Sequence, residues 1–503
     1  MDSTEQTASY RRILKSSSII GGSSVANILI GLVRTKVLAV LLGPAGVGLV
    51  GLYRSLMTTG TTVATMGLDI VGTRQIAEAN AMDDARALAL ARKAVFWSTV
   101  ALACVGGLVM WAFRKPLAKR VLGSTSQSEV VGWLALGVAI SVIAVSQSAL
   151  IQGMRRIADI ARVTVYGAIL NTVVGIVLIW RFGYAGMVPF VLATPAASFF
   201  FGWLYVSRLP KMKAFKIPLL EMTGQWKMLI GVGAAFMGGT VANSLIQLWI
   251  RVDVTNVLGT DALGQFQASW TITQQYIALV LTAMAADYYP RLTGVVRDRA
   301  AAVKLVNEQT EIALLLSGPI FLAMMALAPW VLRLLYTADF APAVVVLRWM
   351  VLSDVLKVAS WPLGFIFLAM ADGKTFLWTE VSALLLMGLA IAIFLRHVGL
   401  EMTGIGYLAS YVFYLPLMHW LAKARLGFAW TPAVARLLAA TFVAVAIVGL
   451  TVSITRWGAL IGCIAAAGFG VYALGRLSHM SDLGGPAGKL GATARKLTGC
   501  IHR

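Results

Sequence analysis

Residues 32–56 read LVRTKVLAVLLGPAGVGLVGLYRSL. Two apolar runs flank a Gly43-Pro44 break, and each continues far enough to form a membrane helix of about 20 residues. Arg34, Lys36 and Arg54 stand inside those runs. A charge within a bilayer span costs about 2.5–3.5 kcal/mol even on the lenient insertion scale. Such a residue faces a bundle interior or a wet cavity, or snorkels to the interface. The stretch therefore predicts two consecutive membrane helices that carry basic groups.

The pattern recurs along the chain. Apolar spans are read at roughly 16–42, 46–70, 92–112, 130–152, 163–180, 184–207, 226–250, 264–289, 310–335, 343–371, 376–395, 402–422, 434–454 and 457–475, fourteen in all. Of the 503 residues, 59% are hydrophobic and 13% charged, with mean hydropathy +0.81. A soluble domain is nearer about 25% charged. This composition excludes a soluble globular enzyme, a disordered protein and a disulfide-stapled secreted domain.

Net charge is +21, from 42 Lys and Arg against 21 Asp and Glu. A nucleic-acid partner is one reading of such a balance. The cations, however, sit in short loops between spans, as the positive-inside rule requires, so no nucleic acid is expected. Cys104 and Cys463 fall in apolar segments and Cys500 in the tail, which suggests no disulfide framework. His397, His419, His479 and His502 lack metal-ligand spacing, so neither a metal nor a cofactor is expected.

The second half echoes the first. Leu42-Gly43 followed by Gly48 matches Leu258-Gly259 followed by Gly264, and Arg34 and Arg74 match Arg251 and Arg291. The glycines are offset by 216 positions and the arginines by 217, which points to duplication. Six spans per unit preserve orientation, so the repeats are parallel, and transporters built this way place their substrate between the halves. The expected fold is an all-α polytopic integral membrane protein: two pseudo-symmetric six-helix lobes around a central cavity, plus two extra C-terminal helices. The expected boundaries are an N-lobe over 1–207, a cytosolic linker over 208–225, a C-lobe over 226–425, accessory spans 13 and 14 within 426–476, and a basic flexible tail over 477–503.

The Lys/Arg bias places both termini in the cytosol. Arg114, Lys115, Lys119 and Arg120 break the rule, since their loop would face outside. That loop reads as an amphipathic segment at the outer interface or as the sign of a miscounted helix. The N-terminus, with Arg11, Arg12 and Lys15, lacks a cleavable signal pattern, so the first span is expected to be retained. The longest loop is about 20 residues, around 290–309, too short for a soluble catalytic domain. Activity as an enzyme is not expected.

Ser23, Asn27, Gly31 and Arg34 share one stripe of span 1 and read as a cavity wall ending in a cation. Lys36 lies about 200° round the helix from Arg34 and is placed either to face the cavity or to snorkel. Arg54 carries the same two readings. Arg251 and Asp253 are two apart and point to different faces. Asp354 and Lys357 are spaced for an intrahelical ion pair. Asp253 and Asp354 are the candidate coupling or ion-pair acids. Asp69, Arg74, Asp287 and Arg291 read as interfacial anchors. The cations Arg34, Arg251, Lys357, Arg54 and Lys36 outnumber the acids, which suits an anion, above all a phosphate that Arg grips in bidentate fashion.

The run at 32–56 resembles Wzx-type O-antigen flippases, the polysaccharide-transport branch of the multidrug/oligosaccharidyl-lipid/polysaccharide exporter superfamily. SDVLKVASWPLGFIFLAMADGKTF in span 10 and the region ending ADYYPRL in spans 7–8 are similar to the same family, and the likeness covers roughly residues 10–425. The resemblance implies a twelve-helix core in two lobes with a cationic cavity. It implies export of an undecaprenyl-pyrophosphate-linked oligosaccharide to the outer leaflet, with Arg34 on the basic first helix as its best-matched site residue. A polysaccharide polymerase and a chain-length regulator are expected partners, beside membrane lipids. The two extra helices are shared with lipid II flippases of that superfamily. A multidrug antiporter is the other alternative, although acids would then be expected to dominate the cavity.

Overall fold

The computed structural model describes residues 3–82, 84–210, 219–455 and 457–479; side chains are described from Gly21 on, apart from 219–236 and a few isolated positions. The expected tail beyond His479 and the middle of the expected linker, 211–218, lie outside the described residues. Among the described residues every regular element is helical. In chain order the α-helices are α1 (Ser3–Thr65), α2 (Leu68–Ala81), α3 (Ala85–Ala112), α4 (Arg114–Val121), α5 (Ser128–Gly153), α6 (Ile157–Phe182), α7 (Met187–Val206), α8 (Leu219–Val295), α9 (Arg299–Leu335), α10 (Ala343–Ala369), α11 (Gly373–Val398), α12 (Met402–Leu426), α13 (Pro432–Ile454) and α14 (Gly458–His479).

Two of these are pairs of spans joined through a break. α1 breaks at Gly43, with φ 62°, and α8 at Gly259, with φ 88°. A side chain is strained at such positive φ, which explains why glycine recurs there. Pro44 then opens the second leg of α1, where its missing N–H costs nothing. Nine stretches of the described residues are long and apolar enough to cross a membrane; Gly21–Thr65, Ile157–Val206 and Gly373–Leu426 each contain two consecutive helices. The two legs of α8 cover the other two apolar runs read from the sequence, 226–250 and 264–289.

The helices outrun the apolar spans. The connection expected around 290–309 narrows to three residues, because α8 runs to Val295 and α9 starts at Arg299. Asp298 caps α9, its Oδ1 accepting from Ala301 N at 3.1 Å. Hydropathy marks only the part of a helix within lipid, so the polar turns at 299–309 escaped it. At 114–121 the cation-rich stretch forms the short helix α4, with Ala118 and Val121 buried and Lys115, Lys119 and Arg120 exposed. It is amphipathic and not a miscounted span.

Compact packing divides the chain into unit one, Met1–Gly264, and unit two, Gln265–Arg503. In unit one, α3, α5, α6 and α7 pack on α1, with small cores around Leu68, Ile76 and Ile151. The first leg of α8 belongs to this unit. Gly48 and Gly264, the matched glycines of the repeat, meet here. A Cβ on Gly48 would strike Thr260 O and the Gly264 backbone, and one on Gly264 would strike Pro44 O. The two breaks thus touch backbone to backbone, which only glycine permits. Gly264→Val should lower the detergent melting temperature, since overpacking of about 1–3 kcal/mol falls on main chain that cannot rotate away. Gly294→Val, where a Cβ meets nothing within 4 Å, should leave it unchanged. Equal melting of both variants would refute the close approach.

Unit two is built on α9, α10 and α12, with Tyr288, Phe367, Met418 and Phe428 in its core. α13 and α14 pack on α9. Asn307 of α9 anchors the connection into α13, donating to Ala429 O at 3.1 Å and accepting from Thr431 N at 2.8 Å. Between α10 and α11, Thr375 bonds Asp372 through its N–H and its hydroxyl, and Arg425 lies 3.0 Å away. Those hydrogen bonds first, then the arginine, hold the Asp372 carboxyl below the usual carboxylate range.

The repeat-matched arginines each form an ion pair one turn along their own helix, Arg74 with Glu78 at 2.7 Å and Arg291 with Asp287 at 3.3 Å. Such exposed pairs are worth little and fit end-of-span anchors.

Candidate substrate site

The second leg of α1 sets out the site in unit one. Arg54, Thr58, Thr61 and Thr65 follow at spacings of 4, 3 and 4, so they form one stripe about 16 Å long. Arg54 heads the stripe. Its guanidinium lies 5.1 Å from the centroid of the Phe190 ring on α7. Its Nη2 is buried and makes no hydrogen bond among the described residues. The guanidinium of Arg34, on the first leg, is near enough for the two charges to repel. Two like charges in a dry setting, one with an unused N–H, are costly unless an anion arrives between them.

Below Arg54 the stripe enters a cavity of about 590 Å³. Its wall is hydroxyl-rich: Thr58, Thr61, Thr62 and Thr65 from α1, Ser141 and Ser148 from α5, and Thr194 and Ser198 from α7. Most of the bonded hydroxyls look backward along their own helix. Thr61 donates to Met57 O at 2.9 Å, Ser141 to Gly137 O at 2.7 Å and Ser148 to Ala144 O at 3.1 Å. With the proton committed, each oxygen offers its lone pairs to the cavity, so the wall is rich in acceptors. Thr194 Oγ1 is buried there with no hydrogen bond among the described residues. Among the described residues Asp69 is the one charged residue in the lining.

The other expected residues are distributed differently. On span 1, Ser23 and Gly31 are half-buried and Asn27 is exposed; a Cβ on Gly31 would meet nothing within 4 Å. Lys36 and Asp253 are half-buried within unit one. Arg251, only 7% exposed, is drawn back onto its own helix, donating to Gln247 O and Oε1 at 2.8 Å each. The structure thus brings Arg34 and Arg54 together and ties Arg251 to Gln247.

Unit two holds Asp354 and Lys357, which lie near enough for their charges to attract. Among the described residues the two close no direct ion pair. The Tyr407 hydroxyl stands between them: Lys357 Nζ donates to it at 3.0 Å, and it donates to Asp354 Oδ1 at 3.2 Å. Tyr276 OH donates to the other carboxylate oxygen, and Lys357 also donates to Gln274 at 2.9 Å. An aromatic ladder of Trp270, Tyr407, Tyr411 and Tyr414 continues from it, with centroids 5.2–5.8 Å apart. At its end Tyr414 OH donates to Glu380 Oε1 at 2.6 Å. Glu380 of α11 is thus bonded across to α12. Asp354 is wholly buried, and a carboxylate there requires such a shell of donors. Helical spacing put acid and base on one face but gave no hint of tyrosines from other helices.

Two signals for these groups were present in the sequence. TTGTTVAT at 58–65 is an unusual density of threonine for a membrane span, and Tyr407, Tyr411 and Tyr414 share one helical stripe.

Comparison with known proteins agrees with this architecture. Residues 37–345 match the family described as polysaccharide biosynthesis protein. The lipid III flippase of Escherichia coli (strain K12) is 24% identical over 428 residues, covering 80% of this chain and 97% of that protein. Among solved structures, a multidrug resistance MATE family transporter of the MOP superfamily in an inward-facing conformation superposes with TM-score 0.67 at 16% identity, over 82% of this chain and 96% of that one. The lipid II flippase MurJ in an inward closed conformation gives TM-score 0.60 at 11% identity, over 85% and 96%. At such identities the structures speak for the fold alone. The family match spans more than half of the sequence, so the chain belongs to the polysaccharide biosynthesis protein family.

Proposed function

We propose that this chain is a flippase that moves an undecaprenyl-pyrophosphate-linked oligosaccharide, an O-antigen or related surface repeat unit, from the inner to the outer leaflet of the cytoplasmic membrane by alternating access. One observation carries the reading. Arg54, with an Nη2 unused among the described residues and the Arg34 charge near it, heads the stripe of α1 whose threonines line the acceptor-rich cavity. A pyrophosphate takes the arginines, and sugar hydroxyls donate to the threonine and serine oxygens. A glycan crossing hydrocarbon without such a wall would lose its water with nothing in exchange.

Both termini lie in the cytosol in this reading, as the Lys/Arg bias indicates. Outward movement of a head group of charge about −2 then gains about 4.6 kcal/mol per 100 mV of membrane potential. The empty cationic site returns inward with the same field. A polymerase and a chain-length regulator would receive the product. A lipid II flippase is the second reading, favoured by the two helices α13 and α14 beyond the twelve-helix core.

The test is deletion of the gene followed by extraction of prenyl-linked glycans. A complete repeat unit accumulating on the inner leaflet, with surface polysaccharide lost, supports the proposal and names the cargo by mass. Accumulated lipid II would transfer the assignment to the second reading. Unchanged surface glycan with new sensitivity to cationic drugs would make the protein a drug exporter.

A further inference from the structure

The second leg of α1 has another face. Leu56, Thr59, Gly60 and Val63 lie about 180° round the helix from the Arg54 stripe. They line a different cavity of about 740 Å³, which belongs entirely to unit one. Val105 and Val109 of α3 form one wall and Leu245 and Trp249 of α8 the other. The groove is almost wholly apolar, and Arg120 of α4 is the charged residue in its lining.

The position of α4 gives the groove a polarity. α3 runs back along the second leg of α1, so α4 sits at the end of unit one that holds the Gly43 turn. Arg114 fixes the corner: its guanidinium stacks 3.9 Å from the centroid of the Trp111 ring and donates to Trp111 O at 3.1 Å. Lys115, Lys119 and Arg120 are exposed and form no hydrogen bond or ion pair among the described residues. A membrane protein has apolar surface everywhere, but here it is concave, and unpaired cations cluster at one end of it. That combination matches an amphiphile with a chain and an anionic head.

We propose that the groove and α4 bind one anionic phospholipid of the adjoining leaflet, its phosphate on Arg120 and Lys119 and an acyl chain along the wall of Val105, Val109 and Leu245. The lipid is not the cargo, because the groove and the Arg54 stripe occupy opposite faces of the helix. Bound there, the lipid joins α3, α4 and the first leg of α8 into one surface, and its charge offsets the cations that break the positive-inside rule.

Native mass spectrometry of the purified full-length protein, titrated with dioleoyl phosphatidylglycerol and with dioleoyl phosphatidylethanolamine, tests this. One phosphatidylglycerol should be retained in preference. At about 1 kcal/mol, or about fivefold, per cation, Lys119→Gln/Arg120→Gln should weaken retention about thirtyfold. Val109→Trp, which fills the groove and leaves α4 intact, should also abolish it. Equal retention of both lipids, or retention unaffected by either variant, would overturn the proposal. So would displacement of phosphatidylglycerol by undecaprenyl pyrophosphate, which would make the groove part of the cargo path. Because the readout is lipid retention, failure here leaves the flippase reading standing, and failure of the gene-deletion test leaves this site standing.

Discussion

Arg34→Glu is expected to abolish glycan export while the protein remains folded and abundant in the membrane. In the native protein two guanidinium groups repel, and Arg54 Nη2 has no partner among the described residues. Glutamate at position 34 turns repulsion into attraction. At an effective dielectric near 20, a pair about 4 Å apart gains about 4 kcal/mol before desolvation is counted. The variant fills its own anion site with its own carboxylate, so it should melt no lower than the native protein. Arg54→Glu should behave alike. Each charge-assisted bond to a pyrophosphate is worth about 1.5–3 kcal/mol, so losing even one or two lowers transport about a hundredfold. Surface polysaccharide restored in the deletion strain, normalised to membrane abundance, is the measurement. Wild-type export by either variant would remove the pair from the site. A loss of abundance in Arg34→Glu alone would show instead that the arginines serve the fold.

Much of the architecture was legible because bilayer thickness imposes a single length scale. Fourteen spans, the breaks at Gly43 and Gly259 and the charged residues of spans 1 and 2 follow from runs of apolar residues and from residues that cannot continue a helix. The site was legible only in part. Arg34 and Arg54 stand out because an intramembrane cation is expensive. The hydroxyl wall did not, since threonine is nearly neutral on hydropathy and satisfies itself on its own helix. The link between Asp354 and Lys357 was hidden for a different reason. Their spacing promised a direct pair, yet Tyr407 enters from α12, and nothing local to α10 encodes its arrival. Periodicity reports what shares a helix face and is silent about which helix comes to meet it.

That intervening tyrosine makes Lys357→Met the second large effect expected. Asp354 is fully buried, with Tyr276 on one oxygen and Tyr407 on the other. Removing the ammonium leaves a buried carboxylate without its counter-charge, a loss of about 3–5 kcal/mol. For a unit of this size the apparent melting temperature in detergent should fall by about 10 °C. Asp354→Asn/Lys357→Met removes both charges together. The asparagine carbonyl still accepts from a tyrosine and the methionine fills the place of the lysine stem, so the double variant should melt within about 2 °C of the native protein. Tyr407→Phe keeps both charges but cuts both bonds that connect them, and should fall between. Losses that simply add in the double variant would mean that acid and base are independent, and the bridge through Tyr407 would be rejected. Strong coupling would show why a chain in lipid keeps an acid and a base there: each makes the other affordable, and the tyrosine fixes α12 against α10 in the one geometry that satisfies all three.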